Sequence, residues 1–515
     1  MPSPTALYSV AEIRNIEHAA LAALPCFTLM QRAGRASSDL AGKIVHDEPA
    51  GAPILVLAGP GNNGGDALEA AANLEEAGFE VTVLMFADPA KYSADAGQAL
   101  AHARQAGVRF ADTADFGAVL VSTAWKLVID GLFGIGLTRA IAAPLHGVVE
   151  LLNSLNHSVL ALDVPSGLDA DTGNVVGEHG IAVAATHTIT FIGGKPGLHT
   201  GSGRDYAGCV SVASLDIDPR HFLAPRAHLV TQDSFGGGLQ PRLHNSHKGS
   251  YGEVIVAGGA HGMAGAVILS ATAAAKCGAG RTFAAFLEDP PAYDPVHPEL
   301  MCRRAADIDP SKGAIVLGPG LGISRMARDL VARGLSATVP AVVDADALNL
   351  ISTESALQQR VSERKAPTVL TPHPLEAARL LNMTAGQVQA DRLAAARTLA
   401  QRFNAIVVLK GSGSVIARQD GEVGINATGN PALATAGSGD VLAGICGALL
   451  AQNWDAWDAV RGAVWIHGQA ADLLVAQGIG PIGLTAGELI PAMRTILNQL
   501  TKQRARLIDY PRGDR

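Results

Sequence analysis

The chain of 515 residues is too long for a single hydrophobic core, so its length alone predicts two or more domains. Its 48% hydrophobic and 17% charged residues are typical of compact globular proteins and exclude a largely disordered chain. The formal net charge of -8 argues against a general nucleic-acid binder, because such proteins need a basic surface for phosphates.

The five cysteines are scattered and form no CxxC pair, which is typical of buried thiols in a reducing compartment. The N-terminal residues lack the basic and apolar regions of a signal peptide. No apolar run approaches the roughly 20 residues that are needed to span a bilayer. We therefore expect a soluble cytoplasmic protein without a membrane partner.

The first half of the chain predicts a parallel, doubly wound α/β sheet. Ser9 to Glu12 has the pattern of a capping box, which indicates the start of a helix. Short apolar runs and segments of helical periodicity alternate after it. Strands are expected at 53–58, 80–86, 126–130, 158–163 and 186–192, with helices near 66–77, 93–106 and 144–155. The loops after such strands lie along one edge of the sheet, where these folds bind ligands.

Prolines and three consecutive glycines interrupt this pattern around residues 218–245. We interpret residues 226–240 as a linker between a domain at 1–225 and a domain at 241–515. Alternation resumes in the second domain, with strands expected at 253–259, 281–286, 314–320, 341–346, 368–373 and 405–411. The chain from about residue 439 predicts mostly helix.

A glycine-rich segment, Gly59-Pro-Gly-Asn-Asn-Gly-Gly-Asp66, follows the first long strand and precedes a helix. Its glycines allow the backbone to approach a ligand, and the free N–H groups of a helix start suit an anion such as pyrophosphate. The amides of Asn62 and Asn63 favour a polar ligand or a metal cation. An ordinary strand-to-helix turn also uses Gly and Asn, so the spacing alone leaves that alternative open.

Two further polar loops follow predicted strands at the same edge. They are Asp130-Gly-Leu-Phe-Gly-Ile-Gly136 and Asp163-Val-Pro-Ser-Gly-Leu-Asp169. Either aspartate alone is compatible with a helix cap or a turn. Three polar strand ends converging on one edge favour a functional site.

The segments GPGNNGGD, DGLFGIG and DVPSGLDADTG resemble the signatures of NAD(P)H-hydrate epimerases, over roughly residues 1–225. The resemblance implies a Rossmann-like sheet that interconverts the R and S forms at the hydroxyl-bearing carbon of the nicotinamide ring. It makes Asp163 the acid/base group, a role that typically contributes about 10²–10⁴-fold. The residues implied to contact the hydrated dinucleotide are Asn62, Asn63, Gly64, Gly65, Asp66, Gly134, Ile135, Gly136, Leu137, Thr138, Arg139, Ala140 and Asp163.

The same resemblance implies a potassium ion held by Asn63, Asp130 and Ser166, whose oxygen ligands suit a hard cation. The chain departs from the family pattern at Ala67 and Glu69, where Gly and Val are usual. Both departures follow the polar segment, so we expect them to affect packing more than chemistry.

In the second half, Ala436-Gly-Ser-Gly-Asp440-Val-Leu-Ala-Gly444 places small residues and an aspartate at the start of an apolar helix. Successive backbone N–H groups and the helix dipole form an anion hole that favours a transferring phosphoryl group. An aspartate in that position can accept a proton from a substrate hydroxyl. A plain N-cap aspartate is the alternative, and the Gly-Ser-Gly run favours phosphate chemistry over it.

This arrangement resembles the ribokinase-like sugar and vitamin kinases. Further segments narrow the resemblance to the ADP/ATP-dependent NAD(P)H-hydrate dehydratases, over roughly residues 240–500. They are HKGSYGEVIVAGG, GMAGAVILSATAAAKCGAG, HPELM, GPGLG, VVDADALNLI, TPHPLEAARLL and VVLKGSGSVIA. Leu375 and Ser414 replace a usual Gly and Thr, and we expect both changes to be tolerated.

The resemblance implies a ribokinase-like α/β domain with two adjoining binding sites. The hydrated dinucleotide would be lined by Ala266, Gly322, His373 and Asp440. The adenine nucleotide would be held by Lys410, Gly411, Ser412, Gly413, Ser414 and Gly439. From the residues alone, His373 is equally a turn residue and Lys410 equally a surface charge.

Asp440 would then activate the ring hydroxyl for attack on the terminal phosphate of ADP. Elimination would restore NADH or NADPH and leave AMP and phosphate. Mg²⁺ is expected on the nucleotide phosphates, where developing charge needs neutralising. ADP is favoured over ATP from the order of the fused domains, and the family implies a homo-oligomer, a tetramer or larger.

Two alternatives remain at this stage. The helix that begins at Asp440 would suffice for a vitamin or sugar kinase with a non-catalytic, Rossmann-like binding domain. The first domain would alternatively only bind and scaffold. Neither alternative explains why five polar groups lie at the strand ends of the first domain. They are Asn62, Asn63, Asp130, Asp163 and Ser166.

Overall fold

The computed structural model describes residues 5–46 and 52–508, with the backbone alone for 505–508. By its internal contacts the chain divides into two compact units, Met1–His228 and Leu229–Arg515. The segment predicted as a linker contains a short strand, Ala227–Val230, and a 3₁₀ segment, Gln232–Gly238. Over the described ranges, no helix has both the length and the apolar character needed to cross a membrane.

The first unit alternates strands and helices along the chain. Its strands are β1 (Ala6–Leu7), β2 (Pro53–Ala58), β3 (Glu80–Met85), β4 (Arg109–Ala111), β5 (Leu127–Gly131), β6 (Val159–Leu162), β7 (His187–Phe191) and β8 (Cys209–Ala213). Its helices are α1 (Val10–Leu21), α2 (Thr28–Ile44), α3 (Asn62–Glu76), α4 (Ala94–Gln105), α5 (Phe116–Ser122), α6 (Leu145–Ser154) and α7 (Gly203–Tyr206). The strand Ala227–Val230, β9, pairs with β1 in an antiparallel arrangement.

The main sheet of this unit is parallel, in the order β4-β3-β2-β5-β6-β7-β8. Strand β2 is an apolar run because it is covered on both faces. Its Ile54 and Val56 pack into one core with helices α1 to α4, and its Leu55 and Leu57 pack into another with α5 and α6. Strands β3 and β4 follow β2 on one side of it in the sheet, whereas β5 to β8 lie on its other side. The crevice where this order reverses lies at the carboxyl ends of β2 and β5.

The second unit has the same kind of alternation. Its strands are β10 (Glu253–Gly258), β11 (Arg281–Phe286), β12 (Met301–Arg304), β13 (Ala314–Leu317), β14 (Ala341–Val343), β15 (Thr368–Leu370), β16 (Ile406–Leu409), β17 (Val415–Ala417) and β18 (Val423–Asn426). Its helices are α8 (Ala264–Lys276), α9 (Arg325–Leu335), α10 (Ala345–Thr353), α11 (Ser355–Glu363), α12 (Pro374–Leu381), α13 (Ala385–Ala390), α14 (Arg392–Phe403), α15 (Ser438–Ala451), α16 (Ala456–Ala476) and α17 (Ala486–Ile508).

These strands are ordered β18-β17-β16-β15-β14-β13-β10-β11-β12. Strands β10 to β16 pair in parallel, and β16, β17 and β18 form an antiparallel meander. The order reverses between β10 and β13, so this unit also has a crevice at the carboxyl ends of neighbouring strands. The backbone of the two loops meets there, because Ala260 N donates to Gly320 O at 2.7 Å.

The sequence-based α/β prediction is confirmed in both units, and every long strand predicted from an apolar run is present. The capping box is confirmed as well, since Glu12 N donates to Ser9 Oγ and Ser9 N donates to Glu12 Oε2. The structure adds elements that the sequence did not reveal, among them α2, α5, β4, β8, β12, β17 and β18. Helix α2 begins after Phe27, which has φ +68° and no side-chain cap, so it carries no start signal.

Candidate active sites

A cleft of about 750 Å³ lies at the crevice of the first unit. Its walls include the loops after β2, β5 and β6 together with helices α1 and α2. The residues that sequence reasoning assigned to the cleft and that line it are Asn62, Asn63, Asp66, Gly134, Ile135, Gly136, Leu137, Thr138, Arg139 and Asp163. The cleft therefore gathers three segments that are far apart in the sequence.

Gly64, Gly65 and Ala140 were also predicted to contact ligand, but they are not among the lining residues that the structure describes. Gly64 serves a close approach instead, since a Cβ atom there would lie 2.0 Å from the carbonyl oxygen of Gly59. A Cβ atom at Gly65 would lie 2.5 Å from the Met30 side chain. Gly64 therefore lets α3 begin directly against the loop that precedes it, and Gly65 lets α3 pack closely against α2.

Asp163 is the best-fixed charge of this cleft. Its backbone has φ +63°, a left-handed conformation that is costly for a residue with a side chain. Its Oδ1 accepts a 2.7 Å bond from Lys195 Nζ, and its Oδ2 accepts a 3.3 Å bond from Ile135 N. Lys195 is fully buried and also donates to Phe191 O at 2.8 Å. The carboxylate is thus held at the cleft wall by a buried ion pair.

Behind this wall lies a buried cluster of oxygen atoms. Asp130 and Ser166 are both fully buried, and Ser166 donates to Asp130 from its N at 2.8 Å and from its Oγ at 2.7 Å. Burial raises the pKa of Asp130 to about 6, against the opposing effect of these bonds. Asn63 is 7% exposed, and both polar atoms of its side chain lack a partner in the described structure. A buried amide without a partner is costly unless a ligand satisfies it.

Two more carboxyl groups in the cleft have raised pKa values. Burial and then the negative charge of Asp163 raise the pKa of Asp66 well above its usual range. The same two causes raise the pKa of Glu17, while Lys195 and Arg14 oppose them. Burial and nearby like charges both favour the protonated form of a carboxyl group. Carboxyl groups with raised pKa values are common at sites of proton transfer.

The second unit holds an ionic network at the ends of β14, β15 and β16. Lys410 Nζ donates to Asp344 Oδ1 at 2.8 Å and lies 3.9 Å from Glu376 Oε2. Asp344 and Glu376 are 1% and 4% exposed, so the lysine supplies positive charge beside two buried carboxyl groups. A backbone hydrogen bond also holds Lys410 in position, since its N donates to Pro372 O at 2.9 Å.

His373 is the N-cap of α12, which is a structural role as well as a candidate binding role. Its Nδ1 accepts from Leu375 N at 3.1 Å and from Glu376 N at 3.3 Å. Its Nε2 lies 3.3 Å from Glu376 Oε1. Burial and the charge of Lys410 lower the pKa of His373, which favours the neutral ring as a cap acceptor.

Asp440 lies in the first turn of α15, after Gly437 with φ +87°. Burial and the negative charge of Asp344 raise the pKa of Asp440 to about 7, and Lys410 opposes them. Gly439 lies against the network, since a Cβ atom there would be 3.2 Å from Lys410 Nζ. The predicted aspartate and lysine therefore belong to one site.

The start of α8, which carries Ala266, and the loop that carries Gly322 meet at the same crevice. A Cβ atom at Gly320 would lie 3.2 Å from the Cβ atom of Ala266. Gly322 has φ +69°, and its N donates to Asp346 Oδ2 at 2.8 Å. Asp346 also contributes to the raised pKa of Asp440, which links this part of the crevice to the ionic network.

The segment that was predicted to hold the adenine nucleotide begins at the end of β16, with the lysine of the ionic network. Gly411 and Gly413 have φ +143° and +60°, and Ser414 Oγ donates to Gly411 O at 3.1 Å. A Cβ atom at Gly411 would lie 2.8 Å from Arg392 Nη1. Lys410, Gly411, Ser412, Gly413 and Ser414 thus form a tight turn that leads from the buried lysine to the antiparallel meander.

The charged residues of these sites that the sequence did not reveal include Glu17, Lys195, Asp344, Asp346 and Glu376. A lysine between Gly194 and Pro196 and a glutamate three residues after His373 are local signals that were available. Glu17 has no such signal, because it stands in an amphipathic helix where a glutamate is ordinarily solvated.

Two family models match the chain, one within each unit. A family model described as NAD(P)H-hydrate dehydratase matches residues 254–493. A second model, described as YjeF-related protein N-terminus, matches residues 26–197.

The similarity to curated relatives extends over nearly the whole chain. The bifunctional NAD(P)H-hydrate repair enzyme Nnr of Coxiella burnetii is 37% identical over 508 residues, covering 96% of this chain and 100% of the relative. The enzyme of the same name from Vibrio cholerae is 38% identical, covering 97% and 99%. Among solved structures, the ADP/ATP-dependent NAD(P)H-hydrate dehydratase of Bacillus subtilis is 30% identical, covers 53% of this chain and 98% of its own, and has a TM-score of 0.47.

Proposed function

Because the chain belongs to the family of bifunctional NAD(P)H-hydrate repair enzymes, we propose that each unit carries one of the two activities. The first unit epimerises the R and S forms of hydrated NADH and NADPH. The second unit dehydrates the S form back to NADH or NADPH and consumes ADP or ATP. The observation that carries this proposal is the presence of a polar, charge-tuned crevice at the strand ends of each unit.

In the first unit, the cleft binds the hydrated dinucleotide and Asp163 exchanges a proton with the reacting hydroxyl group. The strained backbone and the bond from Lys195 fix the carboxylate toward the cleft before substrate arrives. Such pre-positioning of a proton-transfer group is worth about 10²–10⁴-fold. Asn62, Asp66 and the segment from Gly134 to Arg139 bind and orient the substrate from the surrounding wall.

The residues proposed for potassium fit a hard cation. Asn63 offers a buried amide oxygen without a partner, and Asp130 and Ser166 offer a buried carboxylate and hydroxyl. A bound potassium ion would supply fixed positive charge near the substrate and would favour the ionised form of Asp130. Glycine at position 134 leaves the space between Asp163 and Asn63 open, since a Cβ atom there would lie 3.0 Å from Asp163 Oδ2 and 3.4 Å from Asn63 Oδ1.

In the second unit, Asp440 accepts the proton of the ring hydroxyl, which then attacks the terminal phosphate of the nucleotide. Phosphorylation turns the hydroxyl into a good leaving group, and elimination restores the reduced nicotinamide. Ala266, Gly322 and His373 position the hydrated ring, and the helix start at Gly439 offers N–H groups to the phosphates. The kinase alternative is not supported, because the relatives named as repair enzymes match both units.

Lys410 to Ser414 hold the adenine nucleotide, with ADP favoured over ATP. The described residues contain no cluster of three or more His, Cys, Asp or Glu side chains suited to a metal. Mg²⁺ therefore fits best as an ion carried by the nucleotide phosphates, with few protein ligands, where it would neutralise developing charge. Lys410 supplies positive charge from the protein side.

We also propose that the enzyme is cytoplasmic and forms a homo-oligomer. The described cysteines are unpaired, which fits a reducing cytoplasm. A homo-oligomer, a tetramer or larger, follows from the family resemblance alone, and light scattering of the purified chain measures it.

The direct test mixes the protein with R and S hydrates of NADH, Mg²⁺ and either ADP or ATP, and follows the absorbance of the reduced nicotinamide. Complete recovery is expected, and the faster nucleotide identifies the phosphate donor. Recovery that stops when the S form is exhausted would overturn the epimerase assignment. No recovery with either nucleotide would overturn the dehydratase assignment.

A further inference from the structure

The cleft of the first unit contains a further carboxyl group that the assigned mechanism leaves unused. Glu17 lies on α1, and it lines the same cleft as Asp163. Ile13 and Leu21 line the cleft as well, so one face of the helix, at spacings of four residues, is turned toward the ligand space. Glu17 is the acidic residue of that face.

The Glu17 carboxyl group is half-buried, and it makes no hydrogen bond or salt bridge to the side chains that the structure describes. The charged groups that face it are Asp163, Lys195 and Arg14. The negative charge of Glu17 also contributes to the raised pKa of Asp66. Burial and Asp163 outweigh the two cations, so the pKa of Glu17 is raised. Asp163, in contrast, holds an ion pair with Lys195.

Asp163 is ion-paired with Lys195, whereas the Glu17 carboxyl group has no such partner among the described residues, and the raised pKa of Glu17 favours its protonated, acidic form. Inversion of the hydroxyl-bearing carbon by loss and re-addition of water needs proton transfer on both faces of the ring. One face loses the hydroxyl as water and needs an acid, and the other face receives water and needs a base. A single carboxylate on one wall serves only one of these faces.

We propose that Glu17 is the second acid/base group of the epimerase, acting from α1 on one ring face while Asp163 acts on the other. This inference rests on the proposed epimerase function. In one direction, Glu17 donates its proton to the hydroxyl, and the carbon–oxygen bond breaks with release of water. The electron pair of the adjacent ring nitrogen forms a carbon–nitrogen double bond.

A water molecule then adds to that carbon from the opposite face. Its oxygen forms the new bond, the double-bond electrons return to the nitrogen, and its proton passes to Asp163. The two carboxyl groups have exchanged protonation states after one inversion, which leaves them ready for the opposite epimer. Each inversion therefore replaces the substrate oxygen with one from solvent.

The test uses the full chain without ADP or ATP, so that the dehydratase stays idle, and follows conversion of a single hydrate epimer by chromatography. Glu17→Gln is expected to lower the epimerisation rate by about 10²–10⁴-fold. Glu17→Asp is expected to restore part of it. The matched control is Glu150→Gln, the same change on an exposed position of α6, which leaves the rate unchanged.

Two readouts separate an acid/base role from a structural one. The wild-type rate is expected to fall at alkaline pH, where Glu17 loses its proton, and the Glu17→Gln profile lacks that fall. In ¹⁸O-labelled water, wild-type inversion incorporates one labelled oxygen per event above the enzyme-free background.

An unchanged rate and pH profile in Glu17→Gln, or inversion without label, would overturn the inference and leave the epimerase function intact. Absence of epimerisation in the wild-type chain would instead overturn the proposed function itself. Thermal unfolding of each variant confirms that a lost rate does not reflect a lost fold.

Discussion

Asp440 is the residue whose environment most directly sets a pH dependence. Burial and Asp344 raise its pKa to about 7. A base has to lose its own proton before it accepts one from the ring hydroxyl, so we expect the dehydration rate to rise with pH through this value. Steady-state recovery of NADH from the S hydrate, measured across neutral pH, tests this. The Asp440→Asn rate should be lower by about 10²–10⁴-fold, without that rise.

Glu69, one of the departures from the family pattern, is paired in the structure. It is 3% exposed, and its Oε2 lies 2.9 Å from His102 Nδ1, while His102 Nε2 lies 3.3 Å from Glu76 Oε1. The hydrogen bond to Glu69 is the main cause of the raised pKa of His102. The buried glutamate is thus compensated by a histidine on α4.

This pairing predicts a pH-dependent contribution to stability. The folded pKa of His102 lies above its unfolded value of about 6.5, so the stabilisation is complete below that value and is lost as pH rises through the folded pKa. His102→Ala is expected to lower the free energy of unfolding by about 1–3 kcal/mol at acidic pH. Calorimetric melting at acidic and at alkaline pH should show a larger loss at acidic pH.

The control for this change is His18→Ala, which removes an exposed histidine from α1. Its melting temperature should follow that of the wild type at both pH values. An equal loss for His102→Ala at acidic and alkaline pH would contradict the assigned ion pair.

At the scale of elements, the start of α3 depends on a close backbone approach. A Cβ atom at Gly64 would lie 2.0 Å from the carbonyl oxygen of Gly59, and backbone atoms do not yield as a flexible side chain does. Gly64→Ala is expected to destabilise the first unit by about 1–3 kcal/mol and to misplace Asn63. Calorimetry and the epimerisation rate measure the two effects.

Gly97→Ala is the matched control, because Gly97 lies in α4 with no atom within 4 Å of a built Cβ. It is expected to be neutral or slightly stabilising, since alanine favours a helix. Equal behaviour of the two alanine variants would show that the close approach at Gly64 is unimportant.

Elements also show where the sequence was informative. Strands such as β2 and β13 were predictable because both faces are buried, which produces uninterrupted apolar runs. Strand β4 has three partly exposed residues at the sheet edge, and β8 alternates weakly, so neither produced a readable pattern. The loops after β2, β5 and β6 were predictable as a site because parallel topology brings strand ends together.

Ion pairs between residues that are far apart in the sequence were not predictable from the order of the strands. The bond from Lys195 to Asp163 and the bond from Lys410 to Asp344 join residues whose spacing has no period. The position of Glu17 in the cleft depends on how α1 packs, which the helical pattern does not specify. The sequence therefore placed the predicted site residues at strand ends but revealed neither Glu17 nor the ion-pair partners Lys195 and Asp344.

At the scale of the whole molecule, the chain joins two units that each have their own core and their own crevice. A dehydratase that accepts only the S form would leave the R form unrepaired, so an epimerase on the same chain completes the repair. We expect two activities that can be lost separately, because their proposed catalytic groups, Asp163 and Asp440, belong to different units.

The most direct test is complementation between two inactivated proteins. Asp163→Asn, supplied with both hydrate epimers, ADP and Mg²⁺, should restore NADH only from the S form, and Asp440→Asn should restore none while still interconverting the epimers. Mixing the two proteins should restore complete recovery at a rate well above spontaneous epimerisation. A mixture that recovers no more NADH than Asp163→Asn alone would contradict the assignment of the two activities to two sites.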